Sequence, residues 1–537
     1  MLIFQNLSYI HPDKEPLFSN LHLTIAPHDK VALIGNNGAG KSTLLRVIAG
    51  LLPPSAGHIE PGLQPYFVPQ VFGQYNHLTI AQALGIESKR NALKAILNGH
   101  TSEAHFTALD DDWTIEERCT AALHYWQLED LDLSQPMHTL SGGQKTKVFL
   151  AGMHIHQAEL ILLDEPSNHL DAAGRQLLYR FIQSTPAALI TVSHDRVLLN
   201  LLSTVYELDK RGITVYGGNY DFYSAQKQAA QEALNQDLQN KEKALRKARE
   251  KERETLERQQ KLDARGKAKQ EKAGIARIMM NTLRNNAERS TSKIGSAHAE
   301  KVGGMAQELR ELRSTLPDAD KMKFGFGHAA LHKGKVLVTA TAINYAHSAQ
   351  PLWSKPLSFQ ILSGERIALE GLNGSGKTTL IQLITGALAP QTGALYRTAG
   401  HTVYIDQDYS LIHNLLTVYQ QAQQFNTAAL QEHEVKIRLS RFLFTPEYWN
   451  KSCSTLSGGE RMRLMLCCLT IGHQSPDIII LDEPTNNLDL QNIEILTTAI
   501  NEYQGTLIVV SHDPHFLEQI HIEKTIRLDN TSTGINF

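Results

Sequence analysis

Gly35-Asn36-Asn37-Gly38-Ala39-Gly40-Lys41-Ser42 recurs 336 positions later as Gly371-Leu372-Asn373-Gly374-Ser375-Gly376-Lys377-Thr378, and these two runs decide the fold class. Each follows a short apolar stretch, Val31-Ala32-Leu33-Ile34 in one case and Arg366-Ile367-Ala368-Leu369-Glu370 in the other. The first then opens a segment whose Leu44, Leu45, Val47 and Ile48 fall on one face of a helix. Strand, Gly-rich loop and helix in that order form the setting of a phosphate-binding loop. Glycines let successive N–H groups turn toward phosphate oxygens, and the helix N-terminus adds positive potential. Lys41 and Lys377 are placed to reach β- and γ-phosphates, and the hydroxyls of Ser42 and Thr378 to ligate Mg²⁺. Thr43 and Thr379 follow in the first helical turn and belong to the same nucleotide-binding set.

Other motifs recur in the same order. Leu140-Ser141-Gly142-Gly143-Gln144 returns as Leu456-Ser457-Gly458-Gly459-Glu460 at an offset of 316. Leu163-Asp164-Glu165-Pro166 returns as Leu481-Asp482-Glu483-Pro484, and Ser193-His194-Asp195 as Ser511-His512-Asp513, both at 318. Two copies of one domain explain this economically. The drop from 336 to 316 predicts about twenty extra residues in the first copy. Gly85 to Asp112, with its Lys89-Arg90 and Asp110-Asp111-Asp112 clusters, is the expected insertion.

The acidic pairs end continuous apolar runs, Leu160-Ile161-Leu162-Leu163 and Ile478-Ile479-Ile480-Leu481, which suit parallel strands buried on both faces. Carboxylates at such strand ends stand where open α/β sheets bind ligands. Asp164 and Asp482 are therefore expected to hold Mg²⁺, and Glu165 and Glu483 to act as general bases toward an attacking water. His194 and His512 follow a third apolar strand in each copy and are read as γ-phosphate contacts. A consecutive Ser-His-Asp cannot fold into a nucleophilic relay.

Composition bounds the rest. The apolar fraction of 42% and charged fraction of 20% suit a soluble globular chain, and no unbroken apolar run reaches spanning length. The first residues, Met1 to Asn6, lack the layout of a signal peptide. Cys119, Cys453, Cys467 and Cys468 have no metal-ligand spacing, so reduced thiols of a cytoplasmic protein are expected. Net charge is −3, yet Arg258 to Lys301 holds eleven Lys or Arg against four acids, leaving −10 on the remainder.

The Leu-Ser-Gly-Gly-Gln/Glu runs resemble the signature of the ABC ATPases. That resemblance implies ATP and Mg²⁺ as cofactors and two ABC-type nucleotide-binding domains in tandem, each α/β. It marks Gln70 and Gln407 as the glutamines that reach the metal, and Ser167–Asp171 and Thr485–Asp489 as the loops that follow the catalytic glutamate. Tyr9 and Tyr345, each 26 residues before the first loop glycine, are then expected to stack on adenine. The family pairs its domains head to tail, so each ATP meets one copy's phosphate loop and the other copy's signature, here Ser141 with Gly143 or Ser457 with Gly459. Glu460 for Gln144 and Asn487 for His169 are departures that remove no catalytic group.

Between the copies, residues 224–322 are rich in strong helix formers and interspersed charge, which predicts a long helical hairpin. Met305, Leu309, Leu312 and Leu316 form a seam in one arm; Leu234, Leu238 and Leu245 offer one in the other. Gly266, Gly274, Gly295, Gly303 and Gly304 are expected to break the helices, leaving arms of about 40 residues or ~60 Å. The basic surplus, with Ile275, Arg277, Ile278, Met279, Met280, Leu283, Arg284 and Arg289, falls at the tip. This layout resembles the ABC-F proteins over essentially the whole chain. The resemblance implies a monomer that binds the ribosome, its tip touching rRNA and P-site tRNA, with ATP gating an effect on elongation or protection from antibiotics. The expected domains are 1–223, 224–322 and 323–537. An importer subunit with separate membrane proteins would need only a short connector. A DNA-repair ATPase with a coiled-coil arm would more often interrupt a cassette or carry zinc-binding cysteines.

Overall fold

The apolar runs that precede each phosphate loop and each acidic pair become central strands. In the first repeat, Lys30–Ile34, Leu160–Asp164 and Ala188–Val192 are buried almost throughout. Their six-stranded sheet is ordered Pro65–Val68, Leu160–Asp164, Ala188–Val192, Lys30–Ile34, Thr204–Asp209, Gly212–Tyr216, parallel except for the last pair. A three-stranded antiparallel sheet, Pro16–Ile25, Leu2–Ile10, Ala56–Glu60, accompanies it. The second repeat has a five-stranded parallel sheet, Thr402–Ile405, Ile478–Asp482, Thr506–Val510, Arg366–Glu370, Lys524–Arg527. Its antiparallel companion is Leu357–Leu362, Val336–Asn344, Thr392–Arg397. The fold is therefore α/β in both halves. This computed structural model describes residues 1–11, 16–60, 64–100, 102–209, 212–272, 296, 299–312, 332–347, 350–372, 374–398, 400–472, 474–486 and 488–528.

The helix Lys41–Ile48 buries Leu44, Leu45, Val47 and Ile48 in a core shared with Leu33, Leu160 and Leu162. Each such side chain contributes about 1.5–3 kcal/mol, which outweighs the ~1 kcal/mol of backbone entropy that each loop glycine costs. Two glycines have no substitute. A Cβ on Gly35 would lie 2.3 Å from the Leu208 carbonyl oxygen, and Gly40 caps the helix at φ 97°.

The insertion consists of two short helices, Glu87–Leu97 and Glu103–Leu109, leading into Ile115–Tyr125. The clusters of opposite sign that marked it in sequence pair with each other and with that third helix. Lys89 lies 3.3 Å from Asp112, Arg118 2.7 Å from Asp112, and Arg90 3.0 Å from Glu116. Ile86, Leu93, Leu109 and Ile115 fill the space beneath.

Met1–Tyr223 with Met322–Phe537 form one compact unit, and Ser224–Lys321 a second. Within the second unit the chain doubles back: Lys241 Nζ meets Glu308 Oε2 at 3.2 Å, and Leu245 and Leu309 are buried. Leu234, Leu238, Met305 and Leu312 are half-buried along the same seam. The first arm is longer than expected. Its helix runs Tyr220–Lys272, 53 residues or about 80 Å. Gly266 lies inside that helix, and Gly303 and Gly304 inside the helix 299–312, so none of the three breaks it. An interior glycine costs ~1 kcal/mol, which flanking helix formers and the seam offset. Gly274, Gly295, Leu316 and the tip residues Ile275 to Arg289 lie outside the described residues. Among the described residues no helix is long and apolar enough to cross a membrane.

Candidate functional site

At the carboxyl ends of the first repeat's strands a cleft of about 310 Å³ gathers Asn37, Gly38, Gly40, Lys41, Ser42, Thr43, Gln70, Asp164, Glu165 and His194. Lys41 Nζ donates to the carbonyls of Gly35 (2.6 Å) and Asn36 (3.1 Å), curling the loop around its own ammonium. Burial lowers the Lys41 pKa, while Glu165, Asp489 and Asp164 oppose that shift. Ser42 Oγ donates to Asp164 Oδ1 at 3.0 Å, whereas Asp164 Oδ2 is buried without a partner among the described residues. A hydroxyl, a carboxylate with a spare oxygen and the Gln70 amide make a hard-oxygen donor set, which fits Mg²⁺.

Glu165 begins the turn after its strand at φ 51°, and its N–H donates to Val192 O at 2.8 Å. The carboxylate is 6% exposed and lies 3.1 Å from His194 Nε2, although the two are not aligned as a hydrogen bond. Burial, then the neighbouring Asp164 charge, pushes the Glu165 pKa up to about 8; burial pulls His194 down to about 3.

The second repeat reproduces the plan with differences. Lys377 Nζ donates to Gly371 O (2.7 Å) and Leu372 O (3.3 Å). Glu483 stands at φ 48°, and its carboxylate is 3.4 Å from His512 Nε2. Burial raises Glu483 to about 7 against the pull of Arg175 and Lys377, and burial lowers His512 to about 4. Asp482 accepts the Tyr404 hydroxyl at 2.9 Å, while Thr378 is exposed. The strand position equivalent to Tyr404 is Phe67 in the first repeat, so this hydroxyl belongs to one site alone. Gln407 lines a separate cavity of about 690 Å³ with Gly458, Arg461 and Asn486. Gly374, Ser375 and Gly376 form the loop, with Gly376 capping the helix at φ 92° and the Ser375 carbonyl held by Trp353 Nε1 at 3.0 Å. Asn373 and Asn487 lie outside the described residues.

Ser141 and Ser457 each cap the following helix and close a capping box with Gln144 or Glu460. The exchange of Gln for Glu keeps that box but changes the hydroxyl. Glu460 Oε2 accepts both the Ser457 N–H (2.8 Å) and its Oγ–H (2.9 Å). Gly143 follows in the first turn, and a Cβ on Gly459 would meet Asn492 Nδ2 at 2.2 Å.

The sequence spacing pointed to Tyr9 and Tyr345. Tyr9 turns its ring to Phe18, centroids 6.1 Å apart, and the cleft is lined instead by His11 and Leu17. Tyr345 packs edge-on against His347, whose Nε2 lies 3.1 Å from Thr379 Oγ1. Tyr-x-His occurs in both copies at the offset of 336, so a matched spacing selects either ring. The histidine lies past the strand end at Ile10, where the wall of the cleft begins.

The two repeats meet at these loops. The Asn37 N–H donates to Asp489 Oδ2 at 2.8 Å, while Asp489 Oδ1 caps its own helix through Asn492 N. Arg175 Nη1 reaches His512 O at 3.4 Å, and Arg196 pairs with Glu494 at 3.8 Å and bonds His515.

The profile of the ABC transporter family matches residues 18–168 and 354–486, one stretch in each repeat and together more than half of the chain. The ABC transporter ATP-binding protein YfmR of Bacillus subtilis is 30% identical over 543 residues, 96% of this chain and 79% of that one. The ATP-binding protein Uup of Haemophilus influenzae is 30% identical over 560 residues, 97% of this chain and 78% of that one. This chain is a tandem ABC protein of the ABC-F type. Each repeat is an ABC cassette. The archaeal ribosome recycling factor aABCE1, solved with the ribosomal stalk protein aP1, shares the fold at a TM-score of 0.60 and 19% identity, covering 97% of this chain and 87% of that one.

Proposed function

We propose that this ABC-F protein binds and hydrolyses ATP at two sites shared head to tail between its cassettes, and that the closed, ATP-filled form binds the ribosome. The boundaries we assign are 1–223 and 323–537 for the cassettes and 224–322 for the hairpin. The supporting observation is the Asn37–Asp489 contact, which already brings one cassette's loop onto the other's phosphate loop. In this reading, Lys41 and Lys377 leave their carbonyl partners for β- and γ-phosphate oxygens, and the loop N–H groups from Gly35 to Ser42 and Gly371 to Thr378 follow. Ser457 and Gly459 complete the first site, and Ser141 and Gly143 the second. Mg²⁺, held by Ser42, Gln70 and Asp164 at one site and Thr378, Gln407 and Asp482 at the other, would neutralise charge on the β- and γ-phosphates. Glu165 and Glu483 accept the proton of the attacking water; a carboxylate whose pKa lies near the working pH suits that task. His194 and His512 steady the γ-phosphate as neutral donors. His11 and His347, with Tyr9 and Tyr345 behind them, form the adenine end.

Closure is a population shift, with ATP binding the paired form more tightly than the open one. We assign the ribosome as partner because the hairpin concentrates the chain's basic surplus between Arg258 and Lys301, suited to an rRNA or tRNA backbone. The structural neighbour aABCE1 is itself a ribosome recycling factor. Altered elongation or antibiotic protection would be the outcome, in the cytoplasm and as a monomer. Glu165→Gln with Glu483→Gln should bind ATP, stop hydrolysing it, and co-sediment with ribosomes only when ATP is present. Loss of co-sedimentation by an ATP-bound double variant would sink the ribosomal reading and leave the ATPase reading standing.

A further inference from the structure

Arg175 lies on the helix Ala172–Ser184, just after the loop that follows the first cassette's glutamate. Its side chain is 13% exposed and is held from its own side by two anchors. Nε donates to Leu170 O at 3.3 Å, and Nη1 lies 3.8 Å from Asp195 Oδ2. Asp195 is fixed in turn: it accepts the Tyr179 hydroxyl at 2.5 Å and caps the helix Arg196–Asn200 through Val197 N and Leu198 N. From this braced position Nη1 crosses to the second cassette and donates to the His512 carbonyl at 3.4 Å. His512 is the residue whose imidazole faces Glu483.

Among the described residues the equivalent position makes no reverse bridge. The offset of 318 maps Arg175 onto Ile493 and Tyr179 onto Thr497. Ile493 is 3% exposed and its side chain carries no donor, so this position cannot return the contact to His194. The first site faces the partner cassette's loop carboxylate, Asp489, on Asn37. The second site faces the matching carboxylate, Asp171, which acts on Lys377 and His512, so the two sites differ by the added cation Arg175.

We propose that Arg175 is a positioning residue acting in trans: it holds the His512 segment in register with Glu483 and so completes the second ATP site alone. This rests on the reading of the chain as a two-site ATPase. A preoriented donor in a water-poor interface needs no reorganisation when charge moves during the reaction, which is where such groups act most strongly. Because Arg175 belongs to the other cassette, hydrolysis at the second site depends on the two cassettes being paired. Hydrolysis at the first site lacks that particular requirement. The consequence is two sites with unequal turnover, built from matched motifs.

The test uses the full chain and single-turnover hydrolysis of Mg²⁺-ATP. Glu165→Gln leaves the second site to be read, and Glu483→Gln leaves the first. Arg175→Gln, which keeps most of the packed stem, should slow the second site roughly tenfold and the first by no more than about twofold, with ATP affinity unchanged. Arg175→Lys should recover part of the second-site loss, because it restores a cation without the planar fork. Equal losses at both sites, or none at the second, would overturn the proposal. If Arg175→Gln does not fold, the Arg175→Lys variant carries the same comparison, since a packing role would slow both sites together. A wild-type chain that hydrolyses no ATP would overturn the ATPase reading itself.

Discussion

Glu165 and Glu483 bear two penalties that a surface glutamate escapes: left-handed backbone angles of 51° and 48°, and burial, near-complete for Glu165 and partial for Glu483. A non-glycine residue in that region costs roughly 1–2 kcal/mol, tolerated because Val192 O and Val510 O take the two N–H groups. Burial makes stability depend on pH, with a sign opposite to that of a salt-bridged acid. The folded-state pKa values, about 8 and about 7, lie above the ordinary carboxylate value. The contribution is thus fully present below the unfolded pKa and is lost as pH rises through the folded one. Glu165→Gln should therefore raise the melting temperature of the nucleotide-free protein at about pH 8, and the gain should shrink toward about pH 5. Calorimetry at the two pH values checks this, and a gain that grows on acidification would contradict it. That Lys41, Asp164 and Glu165 gather in one cleft was legible in sequence, because they sit next to strands that can be read. Which ring lines the cleft was not. Tyr9 and His11 share one offset, and only the turn of the chain past Ile10 decides between them.

Ion pairs hold the insertion, whose charge clusters marked it along the chain. Asp112 is 13% exposed and lies within reach of Lys89 and Arg118 at once. Removing it leaves two partly buried cations without their carboxylate, a loss on the order of 1–3 kcal/mol. Asp112→Ala should accordingly lower the urea midpoint of the first cassette's unfolding, whereas Glu103→Ala, on the exposed face of the neighbouring helix, should leave it unchanged. Equal midpoints for the two variants would reduce the cluster to decoration. The helical hairpin teaches the converse lesson about glycine. Gly303 and Gly304 read as breakers, yet a seam with Leu245 and Leu309 buried keeps the helix intact around them. Propensity amounts to ~1 kcal/mol per glycine, and packing along an arm of several turns exceeds it. Helix type was legible from composition; arm length and continuity were set by the partner arm.

For the whole molecule, the functional question is whether the hairpin does more than join the cassettes. Deleting Gly266 to Gly295 should leave ATP binding intact and abolish any effect on a cell-free translation reaction. Unchanged translation would make the hairpin a spacer. The deletion removes most of the basic surplus, so the salt dependence of ribosome binding should flatten as well. The sequence by itself determined the two-fold repeat, the α/β class and the loops that each repeat carries. Those features live in short windows where strand, glycine loop and helix follow one another, and local backbone physics enforces them. Only the tertiary structure decided how the copies differ. Asp489 on Asn37, Arg175 on the His512 carbonyl and Arg196 on Glu494 join residues some 300 to 450 positions apart. No local periodicity reports such contacts. They arise when two similar surfaces pack and each must satisfy the donors and charges the other presents.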